Sequence, residues 1–477
     1  MSEELGITAK KEKDFSEWYT QVIQKAELIE YSQVSGCMIL RPYSYEIWEK
    51  IQEFFNKEIK KIGIKNAYFP LLIPESLFKK EKEHVKSFTP EVAWVTQAGN
   101  TKLNEKLAIR PTSETIMYDT YKKWIRSYKD LPLKLNQWCN IIRWEFEHPV
   151  PFLRTREFLW QEGHTAFAKK QEAEEEALQI LNLYTKVYRD LYAIPVLQGK
   201  KSEKEKFAGA VYTLSIETML PNGKAIQCAT SHFLGQNFSK AFDISFLDEN
   251  NKNVYVYQNS WGLTTRSIGI MLAIHGDDKG LILPPKIAPI QVIIIPILFG
   301  KNKEKILRKC KEIKKSIKSL AEIDENENYT PGWKFNYWEL KGVPIRLELG
   351  PKDLEKKQVV LVRRDTNKKE TVKFTDVNKK VQSTLEDIQK NLLKKAELSL
   401  KNSIKKVKSF EEFKKAIKEK KIVYAPWCSS IECEENIKHK TEGAKSLTIP
   451  LKQEKIKGKC IQCNKEAQIY AYFGKSY

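Results

Sequence analysis

The sequence predicts a multi-domain α/β protein with an α+β first half, and three observations carry that prediction. Residues 208 to 260 alternate apolar and polar side chains in the manner of antiparallel strands, with turns at Pro221-Asn222-Gly223 and at Asp248 to Asn251. Beyond Leu283-Pro284-Pro285, continuous apolar runs such as QVIIIPI from Gln291 alternate with lysine-rich helical stretches, the pattern of a small α/β unit with a parallel or mixed sheet. From about residue 408 a third unit carries two close cysteine pairs. A chain of 477 residues has the length for such a division, and 41% hydrophobic with 30% charged residues gives an ordinary globular balance. The expected domains are 1–284, 285–407 and 408–477.

Residues 14 to 43 read as an opening helix followed by extended chain. Ser44 to Ile62 reads as a helix with Ser44 as N-cap, a stripe of Trp48, Ile51, Phe55, Ile59 and Ile62, and Gly63 as the stop. NAYFPLLIPESLF from Asn66 reads as a short strand. With Pro70 inside it and Pro74 after it, that strand belongs at an edge, and a subunit boundary is one such place. KLAIRPTSETIMY from Lys106 passes from strand through turn to helix, with Thr112 and Ser113 placed where they could cap it. Residues 170 to 192 form a helix with Leu178, Leu181, Tyr184 and Tyr188 on one face, and Gly262 to Leu272 passes from a glycine-containing turn into an apolar helix. In the second unit Asn302 to Leu320 is a helix, while VPIRLEL from Val343 and KKQVVLVRRD from Lys356 are strands. Ser383 to Val407 is a helix with Leu385, Ile388, Leu392 and Ala396 as its stripe.

Composition narrows the class of function. A net charge of +21 favours a polyanionic partner, most often nucleic acid. The charge is dense in the second and third units: residues 301 to 320 hold nine Lys or Arg against two Glu. The apolar run APIQVIIIPILFG from Ala288 is too short to cross a membrane and is broken by Pro296; the charged N-terminus lacks the apolar core of a secretory signal. Cys37, Cys139, Cys228 and Cys310 are isolated in sequence and read as buried thiols in a reducing cytosol, so a cytoplasmic protein without membrane contact is expected.

The richest stretch is RWEFEHPVPFLRTREFLWQEGH, from Arg143 to His164. Arg143, Arg154, Arg156, four glutamates and two histidines are interleaved there with Trp144, Phe146, Phe152, Phe158 and Trp160. A solvated charge run would not carry so many rings, and a core strand would not carry so many charges. The mixture suits a site that stacks a flat base and clamps polyphosphate, work for which the planar guanidinium fork is fitted. A surface hairpin with cross-strand ion pairs is the competing reading. Near the C-terminus, Cys428 and Cys433, then Cys460 and Cys463, form two close pairs joined by 26 residues, the layout of a closed four-cysteine zinc site.

Taken together these motifs resemble the prolyl-tRNA synthetases of archaeal and eukaryotic type, a family of class II aminoacyl-tRNA synthetases. YFPLLIPES (within 67–76) resembles class II motif 1, with Pro70 as its proline. The 143–164 stretch resembles motif 2, and GLTTRSIG (within 262–272) resembles motif 3, with Arg266 as its arginine. RPTSE is similar to the family's proline-binding loop, and the cysteine module and terminal KSY also match. The resemblance implies an antiparallel catalytic sheet flanked by helices, an α/β anticodon-binding domain, a C-terminal zinc domain and a homodimer. The spacing between motifs 2 and 3 leaves no room for the large editing insertion of some relatives.

The implied reaction joins the carboxylate of L-proline to the α-phosphate of ATP, then passes the prolyl group to the 3′ end of tRNA(Pro). The resemblance implies that Arg143 bridges the α-phosphate and the proline carboxylate. Arg154 would hold the distal phosphates or the adenine region, and Arg266 would stack on adenine and reach the γ-phosphate. Glu145, Gln227, Thr264 and Thr230 would complete the nucleotide site. Thr112 and Glu114 would take the imino group, Phe158, Trp160 and Glu162 would line or buttress the ring pocket, and His232 would stand beside it; Cys228 reads as packing. Mg2+ would accompany ATP, held mainly by phosphates, with Glu145 or Gln227 as supplementary ligands. In the second unit Arg346, Glu348 and Lys352 are candidates for anticodon base edges, and Trp333, Phe335 and Tyr337 for stacking or packing. Two alternatives stay open: a related synthetase for threonine, serine or glycine, and an RNA-binding relative without catalysis. Retention of Arg143, Arg154 and Arg266 speaks against the latter, because a binder needs no ATP clamp.

Overall fold

The computed structural model describes residues 6–78, 91–145, 147–298, 302–456 and 458–477. Its largest sheet has eight strands in the order Ile449–Pro450, Leu197–Lys200, Tyr212–Met219, Ala225–Gly235, Tyr257–Thr264, Glu157–Phe167, Leu133–Ile142 and Lys65–Asn66. Neighbours run antiparallel except Lys65–Asn66, which lies parallel to Leu133–Ile142. One face is covered by the helices Pro42–Lys61 and Lys170–Lys186. Phe55 stacks on Tyr184 at 5.2 Å and meets the Trp261 ring at 6.2 Å, within a core where each of these side chains is at most 2% exposed. The other face is left for the site. On the helix-covered face Gly163 lets the two central strands pack, since a Cβ would stand 2.1 Å from the Trp261 ring.

Several elements differ from the sequence reading. The second helix starts at Pro42, a proline tolerated in the first turn, and Ser44 is not its N-cap. Ser44 is buried inside the first turn, its hydroxyl donating to the Leu28 and Arg41 carbonyls at 2.5 and 2.9 Å. The Pro70 region is no single strand. Lys65–Asn66 belongs to the large sheet and Leu72–Pro74 to a separate three-stranded sheet, with Pro70 in the gap where a strand would have needed its N–H. Leu178 is 43% exposed, and the buried stripe of its helix runs through Ala173, Ala177, Ile180, Leu181 and Tyr184. Gly262 lies inside the strand Tyr257–Thr264, and the helix begins at Arg266. Cys228 and Cys310 are buried, whereas Cys37 and Cys139 are only partly so.

The second unit is a mixed five-stranded sheet in the order Ala321–Ile323, Val292–Pro296, Ile345–Leu349, Gln358–Arg363, Lys369–Lys373. Its first three strands are parallel. Helices Lys303–Ser316 and Val377–Ser403 pack on one face, and Pro331–Leu340, which periodicity had not revealed, on the other. The long helix spans Val377–Ser403 rather than 383–407, and Ile404–Lys406 becomes a strand of the last unit. That unit is a four-stranded sheet with helices Phe410–Lys418 and Ile431–Lys440. It reaches back into the first unit: Ile449–Pro450 extends the large sheet beside Leu197–Lys200, and the Tyr477 N–H donates to the Ala225 carbonyl at 2.9 Å. Among the described residues no helix is long and apolar enough to cross a membrane.

Candidate active site

Because strand side chains alternate, Phe158, Trp160, Glu162 and His164 share one face of the central strand. Register extends the same row across the sheet. Thr264 stands opposite Trp160, Gly262 opposite Glu162 and Ser260 opposite His164. Thr230 and His232 follow on the next strand, and Thr213 on the one beyond. These side chains floor a cavity of about 330 Å³. Thr112 and Glu114 enter at the start of the helix Glu114–Trp124, Arg143 enters from the loop after the strand Leu133–Ile142, and Arg266 from the first position of the helix Arg266–His275.

One end of the cavity is cationic. Arg143 donates its Nε hydrogen to the Pro111 carbonyl at 3.0 Å and lies over Phe158 and Trp160, 5.8 and 5.6 Å from their ring centres. Arg266 donates its Nε hydrogen to the Leu153 carbonyl at 3.0 Å. Among the described residues neither has a carboxylate within ion-pair distance. Burial lowers the pKa of both, and Arg266 also feels the Arg143 and Arg154 charges, yet a guanidinium stays protonated. Cations held together in a partly dry site favour an anion of several charges.

The other end is acidic and aromatic. Glu162 is 2% exposed and accepts from five side-chain or backbone groups: the Ser113 hydroxyl, the Ser113 N–H at 3.2 Å, Gln137 Nε2 at 3.0 Å, His164 Nε2 at 3.0 Å and the Cys139 thiol at 3.5 Å. Ser113 therefore tethers Glu162 and does not cap its own helix. Burial opposes charge on both partners of the Glu162–His164 pair. Their mutual hydrogen bond and opposite charges, together with the Ser113 and Gln137 donors on Glu162 and the Glu114 charge near His164, outweigh it, lowering the Glu162 pKa and raising that of His164, whose Nδ1 meets the Tyr118 hydroxyl at 3.1 Å. Glu114, Glu162 and His164 also lie close enough to share a metal. With Glu162 already saturated by donors, the trio is better described as a hydrogen-bonded wall that leaves Glu114, bonded to the Thr112 hydroxyl, to face a small cation. His232 contacts Thr213 Oγ1 at 2.9 Å. Burial, with the His164 and Arg143 charges, lowers its pKa to about 3, so the ring is neutral.

The cavity thus gathers Thr112, Glu114, Arg143, Phe158, Trp160, Glu162, Gln227, Thr230, His232, Thr264 and Arg266. It does not gather Glu145 or Arg154. Both are exposed on the loop outside the lining, with Glu145 acting on Arg143 through charge and Arg154 on Arg266. Arg156 is elsewhere too, against Trp144 at 4.5 Å and under Gly36. Phe146 lies outside the described residues. His164, Ser260, Thr213 and Phe207 line the cavity without having been singled out. For His164 the period-two signal from Phe158 was present, but Phe207 sits in a loop that no periodicity marks.

Elsewhere, the Cys428, Cys433, Cys460 and Cys463 sulfurs lie within 4.8 Å of one another, the Cys463 and Cys428 sulfurs 3.8 Å apart. A tetrahedron with Zn–S bonds of ~2.3 Å has edges of about 3.8 Å, so the donor set fits zinc. On the second sheet Arg346 pairs with Glu348 at 2.9 Å and lies over Phe335 at 4.4 Å. Lys369 is 3.7 Å from Glu348, while Lys352 is exposed on the short helix Pro351–Glu355. Trp333 stacks between Tyr329 and Tyr337, at 3.7 and 5.1 Å.

Comparison with known proteins gives three family matches: "tRNA synthetase class II core domain (G, H, P, S and T)" over residues 94–275, "Anticodon binding domain" over 291–384 and "Prolyl-tRNA synthetase, C-terminal" over 410–477. The chain is 50% identical to the cytoplasmic proline–tRNA ligase of Arabidopsis thaliana over 99% of its own length and 91% of the relative's. It is 49% identical to proline–tRNA ligase 2 of Bacillus thuringiensis subsp. konkukian over 100% and 99%. Against the bifunctional glutamate/proline–tRNA ligase of Mus musculus the identity is 50% over 99% of this chain, which spans 33% of that longer protein.

Proposed function

Because the chain belongs to the proline–tRNA ligase family of class II aminoacyl-tRNA synthetases, we propose that it activates L-proline with ATP and transfers the prolyl group to tRNA(Pro). A proline carboxylate oxygen attacks the α-phosphorus, pyrophosphate leaves, and the terminal ribose hydroxyl of the tRNA then attacks the activated carbonyl, releasing AMP. The observation that carries this reading is the pairing, in one cavity, of two guanidiniums that have no carboxylate partner among the described residues with an acidic, ring-lined end of small size.

Arg143 bridges the α-phosphate and the carboxylate, and its fixed plane meets the charge that builds on phosphorus. Arg266 lies along adenine and reaches the γ-phosphate. Gln227, Thr230 and Thr264 complete the nucleotide site, and Arg154 and Glu145 close on it from the exposed side of the loop when ATP is present. Thr112 and Glu114 accept from the substrate NH2+. Phe158 and Trp160 wall its ring, neutral His232 stands beside it, and Glu162 acts as a buttress, since its lone pairs are already taken. Mg2+ would accompany ATP and offset charge on its phosphates, with Gln227 of the cavity lining or Glu145 of the exposed loop as supplementary ligands. Zinc in the four-cysteine cluster is structural, for a set of four thiolates leaves no open position.

Residues 1–284 form the catalytic domain, 285–403 the anticodon-binding domain and 404–477 the zinc domain, the second boundary standing before 408 because Ile404–Lys406 pairs with Ile422–Trp427. Arg346, Glu348 and Lys352 contact anticodon bases. A homodimer is supported by the exposed Tyr68, Leu72 and Trp94 around the motif 1 segment, and a cytoplasmic setting by eight cysteines with no disulfide expected. The test is pyrophosphate exchange into ATP with each of the twenty amino acids in turn. Strong exchange with proline, far above alanine and cysteine, is the expected result; strongest exchange with threonine, serine or glycine would overturn the substrate.

A further inference from the structure

Part of the cavity wall has no regular secondary structure of its own. Residues 201–211 leave the strand Leu197–Lys200 and return at Tyr212. On the way they set Phe207 against the His232 ring at 4.7 Å and Glu205 at the cavity edge. Within the first unit the Phe207 N–H donates to Thr213 Oγ1 at 2.9 Å, Asn237 donates to the Gly209 carbonyl at 2.8 Å, and the Phe207 ring stacks on Phe238. The charged groups that tie residues 201–205 from outside come largely from the last unit of the chain. Lys201 Nζ, itself paired with buried Glu217, donates to the Leu447 carbonyl at 2.8 Å. Lys204 pairs with Glu435 at 2.5 Å, and Glu205 pairs with Lys445 at 2.5 Å. The two outer pairs have opposite polarity, so a slip of the segment by one residue would set like charges together.

The anchors are firm on their own side. Glu435 follows Glu434, which is fully buried and accepts from the Ser446 N–H and hydroxyl, fixing the strand that carries Lys445. Glu434 follows Cys433, one of the four clustered cysteines. Three consecutive residues of one helix thus address the sulfur cluster, the neighbouring strand and the segment over the cavity.

We propose that the C-terminal unit is a brace for residues 201–211, with Glu435 and Lys445 as positioning residues that hold Phe207 over the amino-acid end of the cavity. This rests on reading that end as the proline pocket. Neither residue touches substrate, so their loss should weaken proline binding and leave the nucleotide side alone.

The test uses the full chain with Glu435→Lys, and a compensating pair, Lys204→Glu with Glu435→Lys. Backbone amide exchange of 201–211, measured without substrates, should speed up about tenfold in the first variant, with KM for proline raised about as much and KM for ATP, kcat and melting temperature unmoved. The compensating pair should restore both readouts. Unchanged amide exchange, or faster exchange with an unchanged proline KM, would overturn the brace. If the unaltered chain exchanges pyrophosphate with no amino acid, the function assigned above falls, while the amide measurement still decides whether the C-terminal unit holds the segment.

Discussion

Arg143 is aimed before any ligand arrives, with one N–H spent on Pro111 and its plane held over Phe158 and Trp160. Replacing it with alanine should lower adenylate formation by about 10²–10³-fold or more while tRNA affinity, measured by filter binding, stays within about twofold. Lysine should rescue little, since it lacks the fork. The pocket end is less decisive. A missing methylene is worth only about 1–3 kcal/mol of discrimination, so alanine and cysteine should be activated measurably, at less than ~10⁵-fold below proline. Phe158, Trp160 and Glu162 were singled out through the family resemblance, and the strand sets them on one face of the cavity; the tether of Glu162 by Gln137 and Ser113 was not legible, since it joins segments distant in sequence. A third expectation concerns His275, 8% exposed, whose pKa burial lowers to about 4 despite a 2.8 Å contact with the Tyr192 carbonyl. The unfolded chain takes up that proton near 6.5, so between these values it binds more protons than the native state and stability falls as pH falls, by roughly 2 kcal/mol at pH 5. In urea unfolding, the stability advantage of wild type over His275→Asn should shrink between pH 7 and 5.

The central strand Glu157–Phe167 serves two faces at once, site on one side and packed core on the other. Gly163 is where the second face is tightest, with the Trp261 ring in the place of a Cβ. Gly163→Ala should therefore cost about 1–3 kcal/mol or more by overpacking, seen as a lowered melting temperature, and should disturb the row of site residues on either side of it. Helix positions were readable to within a turn where apolar residues recur every three or four places, as in Pro42–Lys61. They were misread where a local cue had two uses. Ser44 looked like a cap and is a buried tether, and Leu178 fitted the period but points to solvent because the smaller Ala173 and Ala177 fill the close approach to the sheet. Pro331–Leu340 escaped notice because its aromatic residues are spread around the helix, with Phe335 against the sheet and Trp333 in the stack.

For the whole molecule, a net charge of +21 predicts that tRNA binding weakens steeply with salt. The logarithmic slope should be close to 0.9 per phosphate contacted in the duplex stem, and should become shallower by about one unit for each contacting lysine removed. Metal analysis should return one zinc per chain, and Cys460→Ser should lower both zinc content and the thermal stability of the last unit. The order of the three units could be read from composition, but their interlocking could not, because a two-residue strand such as Ile449–Pro450 has no periodicity to betray it. That strand completes a sheet whose neighbouring strand ends at Lys200, about 250 residues earlier. At translation rates of about 5–20 residues per second, the ribosome needs on the order of ten to fifty seconds to deliver it. Throughout that interval the nascent chain presents an unpaired backbone edge at Leu197–Lys200, open to wrong partners. Synthesis speed and chaperone cover late in the message, more than the quality of the first core, should then govern how much of this protein reaches its native state.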